Sequence, residues 1–567
     1  MVGLDRDSDD LSGATHEHNR ATRRLRRHWM FTGLLVLAAG LRAVVFAAYH
    51  PALFVPASVR TARTHWLFAF VFTAGLGLRV LAEVAYRPAL LYIDSAKYLT
   101  GSGSEPEGYG VLLRLLDPVA GLGLVAAAQH VLGLAMAVGG YALLIRRGVP
   151  RWLAALAVAP VLLDAYQLQL EQTIMPDVLF EAMITAGLVL LMWRRRPGPG
   201  LVAAAAVVLG AAAAVREIGV VLIVPVVVFA LLTLPGQLTG RRWRRRAGAA
   251  ALAGGCFALP LLGYMTAAYS TIGQFGLGTN GPGPEYGRAA AAADCATLKL
   301  PADERALCPS PALILTLGGV DGLLNNARFS PGLTAPVPAG TTREKLLASF
   351  SLAVLRQQPL RVAAAIASDS VRLFALTRDG NPEVASISRW QFQASYPLYP
   401  PGFTMAVFTQ LTRENGGGEP LAVKPIATVL RDYQLHGGYT PGPLYAFALA
   451  AGLGGTLSGL VRRRNPTRWK PSRWKPRRWK PSAADKDLAG ACLLVTLSAV
   501  TLLVSSDVFE FSWRYQLPAV IMLPLAGALG LTAVAASLTA GRTATGGTDP
   551  RTHPASAGSG LQVPGAR

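Results

Sequence analysis

A chain of 567 residues that is 52% hydrophobic and only 15% charged does not have the composition of an ordinary water-soluble protein. Its net charge of +22 would suggest nucleic acid in a soluble protein. Here the basic residues fall in short runs between apolar stretches, so they read as topology signals and argue against a nucleic-acid partner. Neither a P-loop nor a dinucleotide fingerprint occurs, so no nucleotide site is expected.

In chain order, residues 1–28 form a polar, basic N-terminus expected to be disordered, with no convincing cleavage site for a removable signal peptide. Apolar runs follow at 29–49, 66–86, 119–145, 152–170, 178–193, 201–216, 218–234 and 248–269, then at 443–461, 487–506 and 519–539. A hydrocarbon core of about 30 Å needs roughly 20 apolar residues as a helix. The pattern therefore predicts an all-α polytopic membrane protein with about 10–11 hydrophobic helices. It divides the chain into an N-terminal membrane domain (29–269), one α-rich extracytoplasmic domain (270–442), C-terminal membrane helices (443–540) and a disordered tail (541–567).

Positive loops stay in the cytoplasm. Arg146, Arg147 and Arg151, Arg194 to Arg196, Arg241 to Arg246, and Arg462 to Lys480 mark one face. Asp94, Asp177, Glu217, the 270–442 stretch and Arg514 are then expected on the other, outside the cytoplasmic membrane. A duplication near the N-terminus complicates this. Gly40-Leu41-Arg42 with Tyr49-His50-Pro51-Ala52-Leu53 returns 37 residues later as Gly77-Leu78-Arg79 with Tyr86-Arg87-Pro88-Ala89-Leu90, and Ala57 takes the place of Asp94. If both copies span from a cytoplasmic N-terminus, Asp94 lies inside. The later basic loops place it outside, which makes 29–49 either a non-spanning interfacial segment or a helix with a misplaced flank.

Arg468-Trp469-Lys470-Pro471 recurs at 473–476 and 478–481. Its composition suits an anionic lipid leaflet, and equally a neutral expansion in a permissive loop. Cys256 and Cys492 fall in apolar runs. Cys295 and Cys308 lie in the outer stretch, where a disulfide and two free thiols are equally open. No Cys/His cluster marks a metal site.

The residues with chemical potential interrupt or end apolar runs. Asp94 follows one such run in Leu90-Leu91-Tyr92-Ile93-Asp94, ahead of Gly101 to Gly110 and a short apolar helix from Val111. There a carboxylate can act as a base on a substrate delivered from lipid. Asp177 precedes the 178–193 run, where it also suits a helix cap, and Glu181 follows one turn later. Arg216-Glu217 breaks an apolar stretch, either facing a ligand or closing a local turn contact. Ser512-Trp513-Arg514-Tyr515-Gln516-Leu517-Pro518 opens the last run, either as a phosphate contact or as an aromatic anchor with a snorkelling arginine. Arg79 and Glu83, one turn apart, are expected to neutralise each other, and His130 and His436 are expected to be structural, although the segment around His436 could touch an acceptor.

A span ending in an Asp segment, followed by Gly-Tyr before a short apolar helix, resembles the first outer loop of the GT-C glycosyltransferases. That superfamily includes protein O-mannosyltransferases and aminoarabinose transferases. The resemblance implies transfer of a sugar from a polyprenyl-phosphate donor on the outer membrane face, with inversion. It implies Asp94 as catalytic base, and Asp177 with Glu171 and Glu181 as acceptor or metal candidates. Arg216, Arg514 and Tyr515 would hold the donor phosphate. Glu217 stands where the family often has proline, a departure that weakens the match at Arg216. No cofactor is certain, and the carboxylates leave room for a divalent metal. The acceptor, protein or glycan, is not indicated. The competing readings are a secondary transporter, which predicts paired repeats and broken helices, and a non-catalytic membrane scaffold.

Overall fold

The computed structural model describes residues 64–545 except 102–104, 117–119, 234–240, 465–482 and positions 274, 279, 280, 282, 379, 381 and 383. The 29–49 run, the first repeat copy with Ala57, the 468–481 repeat and the tail beyond 545 lie outside the described residues.

The first half comprises α1 (Trp66–Ala85), the two-residue strand β1 (Tyr86–Arg87), α2 (Ile93–Thr100), α3 (Gly108–Leu116), α4 (Leu122–Arg146), α5 (Arg151–Leu163), α6 (Ala165–Gln172), α7 (Asp177–Trp193), α8 (Pro199–Val215), a 3₁₀ turn (Glu217–Leu222), α9 (Ile223–Thr233) and α10 (Arg241–Ile272). Short helices follow: α11 (Gly283–Ala292), α12 (Ala302–Arg305), α13 (Pro311–Leu317), α14 (Val320–Asn325), α15 (Pro331–Thr334), α16 (Arg343–Gln357), α17 (Pro359–Arg372) and α18 (Met405–Glu414). The chain closes with β2 (Leu421–Ala422), α19 (Lys424–Leu435), α20 (Gly442–Arg464), α21 (Ala483–Asp507) and α22 (Leu517–Thr545).

The protein is mostly helical, and among the described residues five helices are long and apolar enough to cross a membrane, or six if α5 and α6 form one span bent by 48°. This is fewer than the ten apolar runs expected in that part of the chain. The runs there are helical, but α7 and α8 are 17 residues each, about 26 Å, and the 218–234 run begins as a 3₁₀ turn. The helices carry exposed apolar side chains such as Trp66, Phe70, Leu124, Val131 and Leu259. A lipid phase covers surface of this kind without cost.

Glycine lets two helices meet almost backbone to backbone. A Cβ on Gly530 of α22 would lie 2.0 Å from the Ala451 carbonyl of α20, and one on Gly455 would lie 2.6 Å from the Gly530 Cα. At the basic end, arginines satisfy helix carbonyls. Arg146 Nε donates to Trp193 O at 2.7 Å and Arg147 Nε to Met192 O at 2.8 Å, which joins the ends of α4 and α7.

The stretch expected as one outer domain divides in two. Residues 283–366 build a small core of their own around Tyr286, Leu323, Leu347, Phe350 and Val354, stapled by the Cys295–Cys308 disulfide. From Leu373 onward the side chains join the main core through Trp390, Phe392, Tyr396, Phe408 and Leu430. Hydrogen bonds explain the docking. β1 pairs antiparallel with β2, Tyr86 donates to Gln393 O at 2.7 Å, and Tyr396 donates to Ala89 O at 2.9 Å.

Candidate active site

Asp94 lies on the first turn of a short helix, not in an open loop. The Tyr92 N–H donates to Ser95 Oγ at 2.8 Å, and Ser95 Oγ donates to Ile174 O at 2.8 Å. Leu90 bridges the same segment, with its N–H on Gln172 O at 2.9 Å and its carbonyl accepting from Ile174 at 3.0 Å. These bonds stitch the start of α2 to the peptide leading into α7, and so bring Asp94 beside Asp177. Asp177 is the first residue of α7, after Pro176, and its carboxylate faces arginines rather than capping the helix.

Arg216 ends α8 in an extended conformation, where the helix breaks before the 3₁₀ turn. A Cβ on Gly108 would lie 2.3 Å from the Ala214 carbonyl, so only glycine lets the start of α3 approach this break so closely. Arg514 stands in the turn between α21 and α22, nearly buried.

The four side chains meet. Arg514 Nε donates to both Asp177 oxygens at 3.0 Å, its Nη2 lies 3.0 Å from Asp177 Oδ2, and its Nη1 donates to Asp94 Oδ2 at 3.1 Å. Arg216 Nη1 donates to Asp177 Oδ1. Lys97 Nζ reaches Asp94 Oδ1 at 3.1 Å and Glu105 at 3.4 Å. The Tyr515 ring takes both guanidinium groups, with Arg216 Cζ at 5.0 Å and Arg514 Cζ at 5.5 Å, and Trp390 lies 5.4 Å from Arg514 Cζ. The Arg216–Glu217 turn contact considered from the sequence gives way to Arg216–Asp177.

Charge and burial oppose each other here. Burial works to raise the Asp94 carboxyl, but Arg514 and Lys97 outweigh it and hold Asp94 below the ordinary aspartate range. Glu510, four residues before Arg514, behaves in the opposite way. Burial and the nearby Asp321 push it up to about 8, against Arg389 and Arg514, and its Oε2 is buried without a hydrogen-bond partner. Two carboxyl groups of one site are thus held in different protonation states near neutral pH.

Three expectations need correction. Arg79 does not pair with Glu83; it turns inward to Glu171 at 2.7 Å and to the carbonyls of Gly75, Val161 and Leu162, each at 3.0 Å. Glu171, expected as an acceptor or metal candidate, is fully buried and spends its carboxylate on Arg79 and on His130 Nδ1 at 2.9 Å. Glu181 shares a helix with Asp177, yet its Oε2 accepts from Gln167 Nε2 at 2.8 Å, and Gln167 also reaches Glu171 at 3.3 Å. Both glutamates therefore belong to a buried polar network, not to the cluster around Asp94. Among the described residues no group of three or more His, Cys, Asp or Glu is placed to hold a metal ion. His436 is exposed and bonds its own helix at Asp432 O.

Lys97, Glu105, Trp390 and Glu510 were not singled out from the sequence. Lys97 stands one turn after Asp94, and Glu510 is a charge between two apolar runs, so both carried a readable signal. Trp390 is brought in by tertiary folding alone.

Comparison with known proteins gives no match to any family model, curated protein or solved structure. The site's chemistry rests on its geometry. Arg514 donates hydrogen bonds from Nε to Asp177 and from Nη1 to Asp94, with Nη2 in ion-pair contact with Asp177, and Arg216 donates from Nη1 to Asp177. Guanidinium groups gathered in this way are of the kind that suits an oxyanion.

Proposed function

We propose that this chain is a polytopic membrane protein that transfers a sugar from a polyprenyl-phosphate donor to an acceptor on the extracytoplasmic face, with inversion. The supporting observation is that Arg216 and Arg514, 298 residues apart, share the Asp177 carboxylate while Arg514 also holds Asp94. A base and two phosphate-competent cations from three separate segments stand together at helix ends, where a lipid-borne substrate arrives.

In the reaction the acceptor hydroxyl oxygen bonds to the anomeric carbon as the bond from that carbon to the phosphate oxygen breaks. The polyprenyl phosphate leaves with the electron pair, and the hydroxyl proton passes to Asp94. Arg216 and Arg514 stabilise the charge growing on the phosphate. One displacement inverts the anomeric centre. Arg514 couples the two halves. When its fork turns to the donor phosphate, Asp94 loses part of the charge that keeps its proton affinity low, so it becomes a better base with donor in place. The phosphate is already activated, and the step needs no nucleotide.

A secondary transporter remains the second reading because the helix breaks at Asp164 and Arg216 are of the kind transporters place at binding sites. The two separate in one preparation. In vesicles containing the protein, the transferase reading expects labelled sugar to leave a polyprenyl-phosphate donor without any ion gradient. Gradient-driven uptake of solute with the donor intact would instead establish the transporter.

A further inference from the structure

Helix α17 presents Leu360, Ala363, Ala364, Ala367 and Val371 to the outside. At 100° per residue these five fall within about 100° of arc, a single apolar stripe. Leu360 is 83% exposed and Val371 61%. The opposite face is fully used. Val362 packs into the small core, and Asp369 is bonded by Arg288 Nη2 at 2.6 Å.

The height of α17 relative to the long helices is fixed by two bonds. Arg288 Nη2 also donates to the carbonyl of Asp507, the last residue of α21, at 2.9 Å. The carbonyl of Ala375 accepts from the N–H of Gly442, the first residue of α20, at 3.1 Å. Helix α17 therefore lies level with the ends of α20 and α21. Exposed apolar side chains flank this bond on both segments of chain: Leu376 (69% exposed) follows Ala375, and Leu444 (58%) and Phe447 (59%) stand in the first turns of α20. Exposed Arg361 borders the stripe on α17, with its Nε on Ala292 O at 3.1 Å and its Nη groups beyond.

We propose that α17 docks flat in the outer membrane surface, its apolar stripe at the boundary of acyl chains and headgroups and the bordering Arg361 among lipid phosphates. The inference rests on the reading of the chain as a membrane protein. The stripe has the dimensions and rim of an interfacial helix, and the exposed apolar side chains near its end are ones expected to meet acyl chains. Since Arg288 also donates to Phe509 O at 3.2 Å and Arg372 lies 5.9 Å from the Phe511 ring, this docking would set the depth of the loop that carries Arg514.

The test uses the full chain in phosphatidylcholine–phosphatidylglycerol vesicles, with Cys256 and Cys492 replaced by alanine. Nitroxide labels go on Leu360→Cys and Ala364→Cys, with Val131→Cys of α4 as a span control and Leu315→Cys of α13 as a control in the small outer core; both control positions are exposed. The proposal expects labels at 360 and 364 to collide with oxygen and lose access to a water-soluble nickel chelate, as at 131 and unlike 315. Nickel access at 360 and 364 with exclusion at 131 overturns the docking and leaves the membrane reading intact. Nickel access at 131 overturns both. Spin–spin broadening at 360 that vanishes on dilution with unlabelled protein overturns the docking in favour of a contact between two copies.

Discussion

At Glu510 the shift has a definite consequence for stability. Its folded-state pKa, raised to about 8, lies above its unfolded value, so the native state holds the proton more tightly. The contribution is present in full below the ordinary glutamate pKa and is lost as pH rises through about 8. Thermal stability should therefore decline from about pH 4.5 to about pH 8 and level off above that. Glu510→Gln, which fixes the neutral form, should flatten that decline; an unchanged slope would remove Glu510 as its source. Arg79 supplies a second residue-scale prediction. Arg79→Ala strands the fully buried Glu171 without its cation, and should cost about 3–5 kcal/mol in detergent unfolding. The double change Arg79→Leu with Glu171→Leu should recover much of that loss, and a single variant within error of wild type would show that the pair carries little. Arg79 and Glu171 were each legible as charges near apolar runs. Their pairing was not, because the sequence does not show which way a side chain turns from its helix, and the nearer Glu83 offered a simpler partner.

At the scale of elements, the apolar runs were legible and their continuity was not. Asp164 interrupts the run read as 152–170, and the structure ends α5 there. Its Oδ1 accepts from Tyr166 N at 3.1 Å to start α6, and Arg378 Nη2 bonds Oδ2 at 2.8 Å while stacking 4.4 Å over the Tyr166 ring. The partner lies 214 residues away, so only the fold explains why a charge is tolerated. The break at Arg216 was visible because two charged residues stand together in an apolar stretch. The seam between α20 and α22 leads to a different kind of prediction. Gly530→Val puts three carbon atoms where the Ala451 carbonyl lies 2.0 Å from a single added Cβ. Overpacking of this kind costs about 1–3 kcal/mol and here has no room to relax. The variant should melt well below wild type in detergent, and an unchanged melting temperature would mean that the two helices are not in close contact.

For the whole molecule, the distribution of charge across the helix ends carries the topology. The Asp94–Asp177–Arg216–Arg514 cluster gathers one set of helix ends, while Arg146, Arg147 and Arg194 gather at the other. On the proposed reading of the chain as a membrane protein, the basic ends face the cytoplasm and the first set faces outside. Thr100→Cys and Arg195→Cys, both at exposed positions, should divide accordingly: an impermeant thiol reagent labels the first on intact cells and the second only after permeabilisation. The reverse pattern would put the cluster in the cytoplasm. Asp94, Asp177, Arg216 and Arg514 were legible one by one as charges at the ends of apolar runs, and their meeting was the part that needed the folded chain. The most direct measurement is transfer of labelled sugar from a polyprenyl-phosphate donor by the full chain in membranes, comparing wild type with Asp94→Asn. Asparagine keeps the size of the side chain and a hydrogen bond to Arg514 while removing its basicity. The account predicts normal insertion and folding with transfer reduced by about 10²–10⁴-fold. Transfer near the wild-type rate would contradict it, removing Asp94 as the base and with it the reading of this cluster as a transferase centre.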